Sequence, residues 1–205
     1  MILPLVFFKK TLKILESLSK KDRPIFTFLA FQGVRPSEAR ALKVKDLNFA
    51  DGVVTISRTY SYRKIRERVK SKVIRPRLIN PILLPMLKEI CKDKHPEAFV
   101  FINNRTGRPY SDDTLFRIWN KTREKLNIEI TLYQATRHSL ASIALNNGAP
   151  LTAIQGVLGH TDYRTTLKYA HPDVKSQEAV FQKTSNKIIN IQPYYSPNEK
   201  IVKKI

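Results

Sequence analysis

YQATRHSLASIALNNGAPLTAIQGVLGH, residues 133–160, decides the fold. Its first part has helical spacing and stops at Gly148, a residue suited to the left-handed turn that ends a helix. LTAIQGVLGH (151–160) reads as a second short helix and YRTTLKYAH (163–171) as a third. Upstream, DDTLFRIWNKTREKL (112–126) is helical from a cap at Ser111. FVFINNRTGRPYS (99–111) reads as a short strand and turn, and ILLPMLKEIC (82–91) as a helix interrupted by Pro85.

The amino-terminal third adds helices before sheet. FFKKTLKILESL (7–18) and RPIFTFLAFQG (23–33) have helical periodicity, the second with Asp22 as cap and Gly33 as stop. Pro36 opens a short helix over SEARALK (37–43). Asp51-Gly52 marks a turn before strand-forming Val53, Val54, Thr55 and Ile56. From Arg58 to Arg77 there are nine basic residues against one acid, Glu67. That run reads as a curled hairpin sheet with a basic loop that meets phosphate. The whole is mainly α with a small antiparallel β-sheet, an α+β fold.

Composition narrows the partner. The 205 residues are 42% hydrophobic, enough for a sizeable core in one large domain. Lys and Arg number 37 against 17 Asp and Glu, a formal charge of +20. Such a surface repels itself and is relieved by a polyanion, so nucleic acid leads and double-stranded DNA is the expected partner. A solubility charge, or a basic RNA-binding protein, would give the same balance. The single cysteine, Cys91, excludes a disulfide within the chain and a cysteine-built zinc site. No metal or other cofactor is expected. The apolar start MILPLVFF is short and lacks a preceding basic flank, and no run reaches the ~20 apolar residues of a membrane span. The expected location is cytoplasmic, away from membranes.

Three strings, GVRPSEARALKVKDL (33–47), the stretch quoted at the outset and TTLKYAHPD (165–173), together resemble the tyrosine recombinase, or phage integrase, family. Gly33, Arg35, Ser37, Glu38 and Leu42 match its first box; Arg137, His138, Leu158, Gly159 and His160 match its second. Tyr169, nine residues after His160, falls at the place of the family's nucleophile. SKVIRPRLINP (71–81) resembles the family's lysine-bearing hairpin, with Lys72 the best match, Lys70 its competitor and Arg77 in the following basic position. The resemblance covers about residues 10 to 175.

What the resemblance implies is a catalytic domain that cuts and rejoins DNA. Arg35 and Arg137 would clamp the non-bridging oxygens of the scissile phosphate with permanently charged donors. Tyr169 would attack phosphorus and leave a 3′-phosphotyrosine, conserving the bond energy without ATP. Lys72 would protonate the departing 5′-oxygen and His160 would hold the phosphate. Glu38 and His138 read as supports. Arg63, Lys64, Arg66, Arg68, Lys70, Arg75 and Arg77 would contact the DNA backbone. Family members assemble on DNA, so a homo-oligomer, a tetramer at synapsis, is implied.

Two departures stand against the family pattern. Gln134 occupies the position, three residues before Arg137, where the family has histidine or lysine. Glutamine does not take up a proton at neutral pH, so the general base for Tyr169 is open. The reading also takes residues 1–185 as catalytic domain and 186–205 as tail, without the amino-terminal core-binding domain of the family. Beside recombination, a weakly catalytic DNA-binding module of the same fold and a topoisomerase using a covalent tyrosine remain as alternatives.

Overall fold

The first predicted helix runs from Leu3 to Ser17 (α1) and turns Ile14 and Leu15 inward, with Leu18 following. They meet Ile25, Phe26, Phe28 and Leu29 of α2 (Arg23–Gln32), whose first turn contains Pro24. Phe26 stacks on Trp119 with ring centroids 5.8 Å apart, and the Trp119 indole N–H donates to Ile130 O at 3.1 Å. The computed structural model describes residues 3–67 and 76–159, all of them in one unit, Met1–Ala170.

α3 (Pro36–Arg40) is tied to the molecule by its last residue. Arg40 is 1% exposed; its Nη1 donates to Tyr110 O at 3.1 Å and its Nη2 pairs with Asp112. Burial pulls this guanidinium below its ordinary value, and Asp112 opposes that. A 3₁₀ turn at Val44–Asp46 then leads into short strands. β1 (Leu47–Asn48), β2 (Val53–Val54) and β5 (Arg77–Leu78) form an antiparallel sheet in the order β1-β2-β5, with Val54 opposite both Leu47 and Arg77. β3 (Arg58–Ser61) and β4 (Lys64–Glu67) form a separate antiparallel pair. The single curled sheet expected from sequence is therefore two sheets among the described residues. The β3–β4 turn places Tyr62 and Arg63 at φ 49° and 59°, as a two-residue hairpin connection demands.

α4 spans Leu84–Cys91 and corrects a second expectation. Pro85 lies in its first turn, where the missing N–H costs nothing, so proline opens this helix and does not interrupt it. The residues before it, Pro81–Leu83, form a 3₁₀ turn. α5 (Asp112–Lys125) starts as expected: Ser111 Oγ accepts from Thr114 N at 3.1 Å. Acids in its first turn and Arg123 and Lys125 in its last complement the helix dipole. The stretch FVFINNRTGRPYS holds isolated bridges, Lys43 with Phe99 and Asn103 with Arg108, and no extended strand.

The long helix read over YQATRHSLASIALNNG is interrupted in a specific way. Gln134–His138 form a π turn, followed by α6 (Ser139–Asn146) and α7 (Leu151–Leu158). Ser139 N reaches back to Gln134 O, five residues away, and Ser139 Oγ donates to the same carbonyl at 2.5 Å. Thr11 Oγ1 of α1 donates to Ala135 O at 3.2 Å. Side chains thus engage the carbonyls at the irregularity. α6 and α7 pack on each other through Ala141, Ile154 and Leu158, a second small apolar cluster. No helix among the described residues is long and apolar enough to cross a membrane.

Candidate active site

α2 must end where the first motif begins. Gly33 stops it in the left-handed conformation, φ 67°, with its N–H on Leu29 O. A β carbon there would lie 2.9 Å from Leu140 Cδ2 and 3.0 Å from Leu158 Cδ2. The position therefore needs glycine twice, for backbone and for space. Two residues on, Arg35 is the extended residue before α3. Its N donates to Glu38 Oε2 at 2.9 Å and its Nη1 lies 3.4 Å from Glu38 Oε1. The Glu38 side chain is 1% exposed while that of Arg35 is 46% exposed. A buried carboxylate thus fixes the base of an arginine whose side chain still reaches solvent.

Arg137 is held from the other side. It is 3% exposed; Nη1 donates to Gly33 O at 2.6 Å and Nη2 to Leu158 O at 3.1 Å. One guanidinium therefore joins the first motif, the π turn and the end of α7. Gly159 closes α7 in the left-handed conformation, φ 63°. Arg137 is bonded two residues before Arg35 in the chain, so the two boxes meet despite about a hundred intervening residues.

Residues 7–176 match the model of the phage integrase family. The chain belongs to that family. A tyrosine recombinase XerA of Pyrococcus furiosus is 31% identical over 179 residues, 84% of this chain and 58% of that protein. A tyrosine recombinase of Agathobacter rectalis is 30% identical over 165 residues, 78% of this chain and 50% of that protein. The chain spans about half the length of the curated relatives it matches. Among solved structures, the Tn1549 transposon integrase in complex with circular intermediate DNA superposes with a TM-score of 0.72 at 22% identity, covering 83% of this chain and 64% of that one. XerA recombinase gives a TM-score of 0.62 at 21% identity, covering 86% and 61%. These two likenesses carry the mainly helical fold with its small antiparallel sheets.

Within this integrase-family domain the remaining candidates separate. Gln134 does not stand apart as a lone substitution. Its Oε1 accepts from Thr131 N and Thr131 Oγ1, both at 3.0 Å, and its own N donates to Thr131 Oγ1 at 3.2 Å. Thr131-x-x-Gln134 is a capping box at the start of the helix that carries Arg137. His138 is half-buried in the π turn. Arg63, Lys64 and Arg66 are exposed on the β3–β4 hairpin, as a backbone-contacting role requires. Arg77, read with them, is 8% exposed and its Nη1 reaches Val157 O at 3.5 Å, away from the open surface. Lys72, His160 and Tyr169, with Arg68, Lys70 and Arg75, lie outside the described residues.

Two arginines escaped the sequence reading. Arg105 and Arg108, in the turn before α5, line a cleft of about 700 Å³ with Arg63, Asn103, Ser111 and Tyr60. The available signal was the pair of basic residues in NNRTGRP. Nothing in the sequence set that turn against Arg63, more than forty residues earlier.

Proposed function

We propose that this chain is the catalytic portion of a site-specific DNA recombinase that cuts and rejoins DNA through a 3′-phosphotyrosine. The observation that carries the reading is the Arg137 guanidinium, bonded at once to the carbonyls of Gly33 and Leu158. Two motifs, 104 residues apart at this bond, share one cation, the kind of joint a phosphate clamp requires.

In this reading Arg35 and Arg137 stabilise the charge that gathers on the phosphoryl oxygens. Tyr169 Oη gives up its proton to water and attacks phosphorus, the P–O5′ bond breaks and the 5′-oxygen takes a proton from Lys72. His160 hydrogen-bonds the phosphate. The free 5′-hydroxyl of a partner strand then displaces the tyrosine, and the number of phosphodiester bonds is unchanged. Arg63, Lys64 and Arg66 contact the DNA backbone, and Arg105 and Arg108 extend that set through the shared cleft. Copies of the chain assemble on DNA, as the family resemblance implies.

A second reading, a DNA-binding module with weak catalysis, draws on Gln134. The oxygen of its carboxamide is engaged with Thr131, and no titrating group stands at that position.

Incubation with a nicked suicide DNA duplex, followed by denaturing electrophoresis, tests the proposal. The wild-type chain is expected to form a covalent protein–DNA adduct and Tyr169→Phe none, with DNA binding retained. DNA binding without any adduct supports the second reading; an adduct that persists in Tyr169→Phe removes Tyr169 as nucleophile.

A further inference from the structure

Two guanidinium groups close on the last turn of α7. Arg137 Nη2 takes Leu158 O at 3.1 Å, and Arg77 Nη1 reaches Val157 O at 3.5 Å. Carbonyls at a helix end lack intrahelical partners and carry partial negative charge, which suits cations. Arg77 then passes beneath the glycine that ends the helix. A β carbon at Gly159 would overlap the Arg77 guanidinium. The bare face of that glycine is the surface on which the guanidinium rests.

The strand bearing Arg77 is anchored as firmly on its other side. Gln32, 1% exposed at the end of α2, donates through Nε2 to Leu78 O at 2.8 Å and accepts from Asn80 N at 2.9 Å. Asn80 Nδ2 donates to Phe31 O at 3.0 Å. β5 is thereby fixed to the residues that run directly into Gly33 and Arg35. Arg77 follows Lys72 by five positions, and Gly159 immediately precedes His160.

We propose that Arg77 is a positioning residue and not a DNA contact: it holds the end of α7 against β5, so that the chain enters His160 from a point fixed relative to Arg35 and Arg137. The proposal rests on the recombinase reading above. It predicts that Arg77 acts on the rate of cleavage and not on the hold on DNA.

The test uses the full chain and the suicide duplex, with three readouts: single-turnover adduct formation, DNA affinity across a salt titration, and thermal unfolding. Arg77→Met is expected to slow adduct formation roughly ten- to a hundredfold, the scale of a small misplacement near the chemistry. DNA affinity and its salt dependence should stay at wild-type values. Arg77→Lys, which keeps one cationic donor for a carbonyl, should recover part of the rate. Gly159→Ala supplies an independent handle. Its harm combines a left-handed alanine with overlap on the guanidinium; in the Arg77→Met background only the first remains. The two substitutions should therefore be less than multiplicative in rate and less than additive in unfolding temperature. Cleavage by Arg77→Met at the wild-type rate overturns the proposal. So does an affinity loss with a salt slope shallower by about 1, the mark of a lost phosphate contact, and so do fully independent effects in the double variant. A wild-type chain that binds DNA but forms no adduct fails the recombinase reading itself, a result distinct from any of these, and the proposal falls with it.

Discussion

Gln134 shows how one side chain can belong to two patterns at once. Against the family motif it is a histidine or lysine gone missing; in the fold it is the last residue of a capping box opened by Thr131. The pattern Thr-x-x-Gln was present in the sequence but overlapped the motif that drew attention to it. Truncation by Gln134→Ala is expected to cost about 1 kcal/mol of stability, measured by chemical denaturation, while Gln134→Glu, able to accept the same bonds, should cost less. Equal losses in both would mean that the carboxamide acts elsewhere. Arg35, Glu38 and Arg137 were legible as candidates because the family resemblance marks their positions. The carbonyl partners of Arg137 were not, since no pattern of residue types names a backbone oxygen.

Elements with punctuation in their sequence were read correctly, and those with ambiguous punctuation were not. Gly33 and Ser111 ended and began helices where expected. Asp22, expected to cap α2, makes no such bond; its carboxylate accepts from Ser19 Oγ at 2.8 Å and Tyr110 Oη at 2.9 Å. Pro85 marks a helix boundary, but its direction depends on which turn it occupies. The segment after α3 offers a test at this scale. Lys43 bridges Phe99 in the backbone, and Glu97 lies 2.9 Å from Lys43 Nζ and 2.6 Å from Lys45 Nζ. Hydrogen bonds from Lys45 and Lys43 hold the Glu97 carboxyl at about 2, below its ordinary range. A depressed carboxylate stabilises the fold above its unfolded value, about 4.3, and that contribution fades as pH falls through the folded value. Glu97→Gln should therefore lower the melting temperature at neutral pH, only slightly because the pair is exposed, and its difference from wild type should vanish as pH falls from about 5 to 2, leaving a flatter acid limb. An unchanged acid limb would show that the lysines do not hold this carboxylate in solution.

At the scale of the molecule, the +20 charge pointed to nucleic acid, but its geography lay beyond the sequence. The hairpin that carries Arg63, Lys64 and Arg66 turns through Tyr62 and Arg63 without the glycine or asparagine that would announce it. The cleft that sets Arg63 beside Arg105 and Arg108 exists only once the chain is folded. If these groups meet DNA phosphates, Arg63→Ala and Arg105→Ala should each weaken binding across unrelated sequences alike. Each should make the slope of log affinity against log salt shallower by about 1, read by fluorescence anisotropy. A loss confined to one DNA sequence, or a slope that does not move, would place the arginines outside the phosphate-contacting set.

The π turn at Gln134–His138 bears on how such a domain could be redesigned. One residue fewer between Thr131 and Ser139 would give an unbroken α-helix, with its carbonyls paired along the axis. It would also rotate Arg137 by about 100° against one flank of that helix, off the carbonyl of Gly33 or that of Leu158. A library selected only for resistance to heat would weigh the regular helix against the two bonds of the buried arginine, and would carry no signal of what that arginine's alignment does for chemistry. The irregular turn is a place where the length of the chain, and not only the choice of side chains, sets an arginine's alignment.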